Sequence, residues 1–125
     1  MDKQTYIWTK LMNCCANHWG CHQIPERSFF IKGYQFPVCA RCAGIITGYL
    51  FALSSLCFII DIPVWFYVIL LVPMGLDGSI QYLTHYRSTN IKRFFTGFIA
   101  GFAFIRIIVS LLSFIFSILY NWLAK

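Results

Sequence analysis

Four residues near the start of this chain carry the ligand chemistry of a borderline-soft metal ion: Cys21, His22, Cys39 and Cys42. Zinc takes thiolate sulfur and imidazole nitrogen in a tetrahedral array, and a Cys-x-x-Cys turn at the start of a helix is a common half-site. Cys39-Ala40-Arg41-Cys42 has that form. The other half is Cys21 with His22, or His18 with Cys21 as His-x-x-Cys. Adjacent residues rarely ligate one ion comfortably, which favours His18. Cys21-His22 opens a motif described below, which favours His22. The same cysteines also admit a redox dithiol or plain reduced thiols. The dithiol reading lacks the βαβ pattern that accompanies thioredoxin-like chemistry. Zinc is therefore the expected cofactor.

A second set of residues has the chemistry of anion recognition. Arg27, Arg41 and Arg93 offer bidentate guanidinium groups, with Arg87 beside them. Ser88-Thr89-Asn90 has the residue types that cap a helix, and a capped N-terminus presents free N–H groups to an anion. The plain alternative is membrane anchoring by basic residues and an ordinary cap. Asp77 and Gln81 are four apart on one apolar stretch, so both project from one helix face. A carboxylate inside a span is costly without a partner or a wet cavity. In a hydrolytic site Asp77, Gln81 and His22 would be the acid–base or orienting groups, beside a metal-activated water or a nucleophile.

These groups must be positioned by a chain in which water is not the main solvent. Hydrophobic residues make up 59% of the 125 residues and charged ones 11%, against about 25% charged in a soluble domain. The expected class is an all-α membrane protein of one domain. Residues 1–20 form an amphipathic helix ended by Gly20, with Ile7, Trp8, Leu11, Met12 and Cys15 in one stripe. That stripe suits the lipid interface or the hairpin equally well. Residues 21–42 carry the Cys/His site on a short β-hairpin, Ser28–Ile31 and Tyr34–Val38, turned by Lys32-Gly33. Three transmembrane helices follow, over 43–60, 64–83 and 94–122, with a tight turn at Asp61-Ile62-Pro63. Pro73, Gly75 and Gly78 weaken the second. Gly44/Gly48 and Gly97/Gly101 give two small-residue faces for helix packing, within the chain or in a homo-oligomer. Arg106, near the middle of the third span, reads more simply as a bundle-facing or snorkelling arginine than as the counter-charge of Asp77.

Lysine and arginine placement sets orientation. Lys3, Lys10, Arg27, Lys32 and Arg41 precede the first span, and Arg87, Lys92 and Arg93 join the last two. Three spans put both groups on one side, which the positive-inside rule makes cytoplasmic; the C-terminus is then outside. No signal-peptide pattern opens the chain, and the cysteine spacing fits a reduced compartment. The cations are few and sit where topology requires them, so nucleic acid is not an expected partner. The bilayer is, and so is an anionic lipid or lipid-linked substrate.

Four blocks resemble a family of small prokaryotic integral membrane proteins of unknown function. They are Cys-His-Gln-x-Pro-x-Arg-Ser-Phe from Cys21, Gly-x-x-x-Pro-Val-Cys-Ala-Arg-Cys-x-Gly from Gly33, Leu-Asp-Gly-x-x-Gln from Leu76, and Arg-Ser-Thr-Asn-x-x-Arg-x-x-Thr-Gly from Arg87. The resemblance implies a multispan protein whose polar motif residues are Cys21, His22, Arg27, Cys39, Arg41, Cys42, Asp77, Gln81, Ser88, Thr89, Asn90 and Arg93. It implies no activity. An enzyme acting on an anionic lipid head group and a binding or scaffold protein with a structural zinc both fit.

Overall fold

A computed structural model of the chain describes residues 3–57, 62–84 and 88–124. The Asp61 turn, the far end of the first expected span (58–60), and His85 to Arg87 lie outside them. Helix α1 (Lys3–Trp19) stops where Gly20 turns left-handed at φ 57°, a conformation that costs glycine nothing. Its inner face is Thr5, Trp8, Met12 and Cys15, while Ile7 and Leu11 remain exposed. Trp8 fixes that face: its indole N–H donates to the Gln35 carbonyl at 2.7 Å and its ring meets Tyr34 at 5.8 Å. The helix thus packs on the hairpin and keeps an apolar outer edge.

The hairpin pairs β1 (Ser28–Ile31) with β2 (Tyr34–Cys39), antiparallel, with an irregularity between Ser28 and Phe30. Lys32 and Gly33 both have positive φ, 51° and 82°, the backbone of a two-residue type I′ turn. A 3₁₀ turn, Pro25–Arg27, leads into β1. Two strands alone are marginal, and side chains tie them down. Ser28 Oγ donates to the Ile24 carbonyl, Gln35 Nε2 donates to the Gln23 carbonyl and to Ser28 Oγ, and Gln23 Nε2 donates to the carbonyls of Met12 and Pro37.

Three apolar helices follow: α2 (Ala40–Ser54), α3 (Val64–Leu83) and α4 (Asn90–Leu123). Two of them, α3 and α4, are long and apolar enough to cross a bilayer. The first expected span is different: α2 has 15 residues and passes into a 3₁₀ turn at Ser55–Cys57. At 1.5 Å per residue it reaches about 22 Å, short of the roughly 30 Å hydrocarbon layer. The serines account for the stop. Ser54 and Ser55 hydroxyls donate to the Phe51 and Ala52 carbonyls, each at 2.8 Å, and such local bonds compete with the helical ladder. By contrast α3 stays helical through Pro73, Gly75 and Gly78.

Helix α4 is the centre of the bundle. Gly44 and Gly48 on α2 approach the backbones of Phe94, Phe98 and Phe102, and Gly97 and Gly101 on α4 approach those of Arg41 and Ile45. The pairing advances in the same direction along both helices, so α2 and α4 run parallel. Helix α3 runs antiparallel between them in sequence, with Tyr67 beside Phe102 and Arg106, and Gln81 beside Arg93. The glycine faces are used inside the chain. The hairpin, the starts of α2 and α4, and the end of α3 therefore meet at one end of the bundle. Asn90 Nδ2 closes that end by donating to the Ser28 carbonyl at 3.1 Å.

Candidate metal centre and arginine-lined cavity

The sulfurs of Cys21, Cys39 and Cys42 lie within 4.8 Å of one another. A tetrahedral zinc at about 2.3 Å from each sulfur would hold them roughly 3.8 Å apart, so modest side-chain rotation would close the set on an ion. Local structure explains the convergence. Cys39 ends β2 as the residue before α2, and Cys42 lies on the first turn of that helix. Cys21 is buried against Val38 and Ala43. The backbone N–H of Cys39 donates to Cys21 Sγ at 3.2 Å, which fixes the loop sulfur over the helix start.

Of the three sulfurs Cys39 is the one disposed to ionise, while the hydrogen bond with Cys39 and burial push the Cys42 thiol up. The Cys42 thiol donates to Cys39 and holds its pKa down to about 5; backbone N–H groups of Cys42 and Arg41 and the Cys21 thiol add to this, against desolvation. These amides belong to a helix N-terminus, whose free N–H groups favour a thiolate. Metal ligation requires the thiolate form. Cys15 packs against the same cluster, but burial pushes its thiol up.

Of the expected ligands, the three cysteines are the ones that cluster. His22 is exposed, and it is not one of the clustered donors. Cys21 is buried, whereas the residue after it stays exposed. His18 is exposed on α1 with Nδ1 at 3.2 Å from the Cys14 carbonyl. The grouping is three cysteines, with no protein donor completing it among the described residues.

Beside the sulfurs lies a cavity of about 270 Å³, walled by Cys21, His22, Cys39 and Cys42, by Arg27, Arg41, Gln81 and Arg93, and by the apolar Ile24, Ile45 and Met74. Asp77 stands behind this wall. Its Oδ2 accepts from Arg41 Nη2 at 2.5 Å and from Gln81 Nε2 at 2.7 Å, and Gln81 Oε1 accepts from Arg93 Nη2 at 3.2 Å. One polar chain thus links α2, α3 and α4. Asp77 is 14% exposed and Arg41 26%, so the pair is partly screened and serves to aim Arg41. The partner of Asp77 is Arg41; Arg106 instead donates through Nε to the Tyr67 hydroxyl at 3.1 Å, deeper in the bundle.

Each of the two inner arginines keeps an unmet donor. Arg93 is 5% exposed, and its Nε and that of Arg41 are buried without an acceptor. An orphaned buried donor costs about 1–3 kcal/mol. Arg27 and Arg41 repel the Arg93 charge while Asp77 and Cys39 attract it. Three guanidiniums against one carboxylate and one thiolate leave the cavity net positive.

The connector residues lie beside the cavity wall rather than on it. Thr89 is the N-cap of α4, accepting from the Lys92 N–H, while Ser88 is buried and Asn90 binds the hairpin. None of Ser88, Thr89 and Asn90 lines the cavity; the capped helix start fastens the scaffold. Gln23, Met74 and Ile45 carry no chemical signal as single residues in the sequence. Gln23 had one cue, its place inside the Cys-His-Gln block.

The comparisons with known proteins agree with the membrane reading. Residues 21–108 match the family described as "Predicted membrane protein (DUF2085)". An uncharacterised protein of Methanocaldococcus jannaschii is 49% identical over 88 residues, covering 66% of this chain and 56% of that protein. An uncharacterised protein of Methanothermobacter thermautotrophicus is 37% identical over 95 residues, covering 72% of this chain and 85% of that one. The chain thus spans little more than half of the first relative. No solved structure matches.

Proposed function

Because the chain belongs to this family of predicted membrane proteins, we propose that it holds a zinc–thiolate centre at the cytoplasmic face of the membrane, with a coordination position open to an anion-recognising cavity. The carrying observation is the three-sulfur cluster on the wall of a cavity that also bears Arg27, Arg41 and Arg93. Three protein ligands and an open place characterise reactive zinc sites, whereas structural sites are closed by four. Zinc there would polarise an oxygen of the ligand or lower the pKa of a bound water. The arginines hold the anion, and Asp77 and Gln81 keep two of them aimed. This supports metal- or thiol-dependent chemistry on an anionic lipid or lipid-linked head group.

The orientation follows from the basic residues gathered at the hairpin end. Metal analysis of freshly purified full chain tests the reading. The expected result is about one zinc per chain, lost in Cys39→Ser, Cys42→Ser; metal-free wild type would end it.

One observation supports a second reading. His22 lines the same cavity, and a swing of its side chain would close the site with a fourth ligand. The zinc would then be structural, and the protein a membrane binding or scaffold module.

A further inference from the structure

The shape and chemistry of the cavity specify its ligand more closely. We infer that it seats an oxyanion group, phosphate or carboxylate, carried on a membrane amphiphile that enters sideways between α2 and α3, an inference that rests on the anion-recognising reading above. The first support is the donor pattern. Arg41 and Arg93 each spend Nη2 on a partner fixed by Asp77 or Gln81, and each leaves a buried Nε–H without an acceptor. Both side chains line one cavity. Two guanidiniums held by these partners on one wall match the several oxygens of one oxyanion, and a rotation of each would turn its buried Nε–H toward it.

The second support is the depth profile. Helices α2 and α3 each pack on α4, and the Arg41–Asp77 ion pair bridges them at the hairpin end. Ile45 lies one helical turn beyond Arg41, and Met74 about one turn beyond Asp77, both away from that end. Both line the same cavity. The charged rim therefore gives way, within a turn, to an apolar wall between two helices whose outer faces are apolar and exposed, including Leu50, Val72 and Leu76. A free inorganic anion has no use for that wall. An anion attached to an acyl or prenyl chain does, because burying its methylenes there is favourable.

The test uses the full chain in nanodiscs of phosphatidylcholine, with or without phosphatidic acid, read by native mass spectrometry, and inorganic phosphate titrated into the phosphatidylcholine discs. Zinc is measured on every sample. The expected result is selective retention of phosphatidic acid, inorganic phosphate binding at least tenfold more weakly, and at least tenfold weaker lipid retention in Arg93→Lys with zinc unchanged. Should Arg93→Lys fail to fold, Arg27→Gln, at an exposed position on the rim, is expected to weaken retention several-fold. Equal retention of both lipids, phosphate binding as tight as the lipid, or full retention in the folded variants would overturn the inference. Loss of zinc with lipid binding intact would instead count against the metal centre alone.

Discussion

Adding one methyl group at Gly101 is the sharpest test of how the bundle holds its site. A Cβ there would sit 2.5 Å from the Ile45 carbonyl oxygen, 2.9 Å from its Cα and 3.1 Å from its carbonyl carbon. All three are backbone atoms, so no side chain can swing away. Ordinary contact needs about 3.5 Å, so α2 and α4 must part by roughly 1 Å. Overpacking of this kind costs about 1–3 kcal/mol. The consequence reaches the metal ligands, because α2 carries Cys42 and Arg41 one turn from Ile45. Gly75→Ala is the matched control: a Cβ there meets nothing within 4 Å. Removing a glycine from a helix interior contributes up to about 1 kcal/mol of stability. Denaturant unfolding in detergent micelles, with zinc content measured in parallel, reads both effects. Gly101→Ala is expected to lower stability by about 1–3 kcal/mol and to loosen the metal, whereas Gly75→Ala is neutral or stabilising. If the two variants behave alike, the close parallel packing of α2 on α4 is wrong.

Other expectations follow from single contacts. Asp77→Asn leaves Arg41 without its carboxylate, costs about 1–3 kcal/mol, and weakens anion binding more than zinc binding; equal loss of both would indicate general misfolding. Tyr67→Phe removes the hydroxyl that accepts from buried Arg106 and should destabilise by about 1–3 kcal/mol without altering zinc content. In metal-free protein Cys39 is held near a pKa of about 5, well below an ordinary thiol. Its thiolate persists above that value and is lost as pH falls through it, so its alkylation rate should stay flat from neutral pH to about pH 6 and drop near 5. A rate that climbs steadily with pH up to about 9 would refute the lowered value.

The parts readable in advance were those where one residue type has one use. Lys32-Gly33 marks a two-residue turn wherever strands flank it. The glycine pairs could only mean close helix approach, and α2 and α4 meet through them. Apolar length fixed α3 and α4, but α2 misled, because Ser54 and Ser55 look polar-neutral in a hydropathy window and act by bonding their own backbone. At the site, Cys21, Cys39 and Cys42 were legible from type and spacing. The fourth position was not, since which way adjacent Cys21 and His22 point depends on a loop held by Gln23 and Gln35. Asp77 was visible as a buried charge, but its partner was not. Arg41 lies 36 residues away, and the joint packing of α2 and α3 on α4 that unites them leaves no mark in local periodicity.

The most direct test of the open three-sulfur centre is X-ray absorption at the zinc edge, on full-length protein in membranes. Three sulfur neighbours near 2.3 Å and one light atom that changes when an oxyanion is added would agree with the account. Four fixed protein ligands insensitive to anions, including an imidazole from His22, would contradict it.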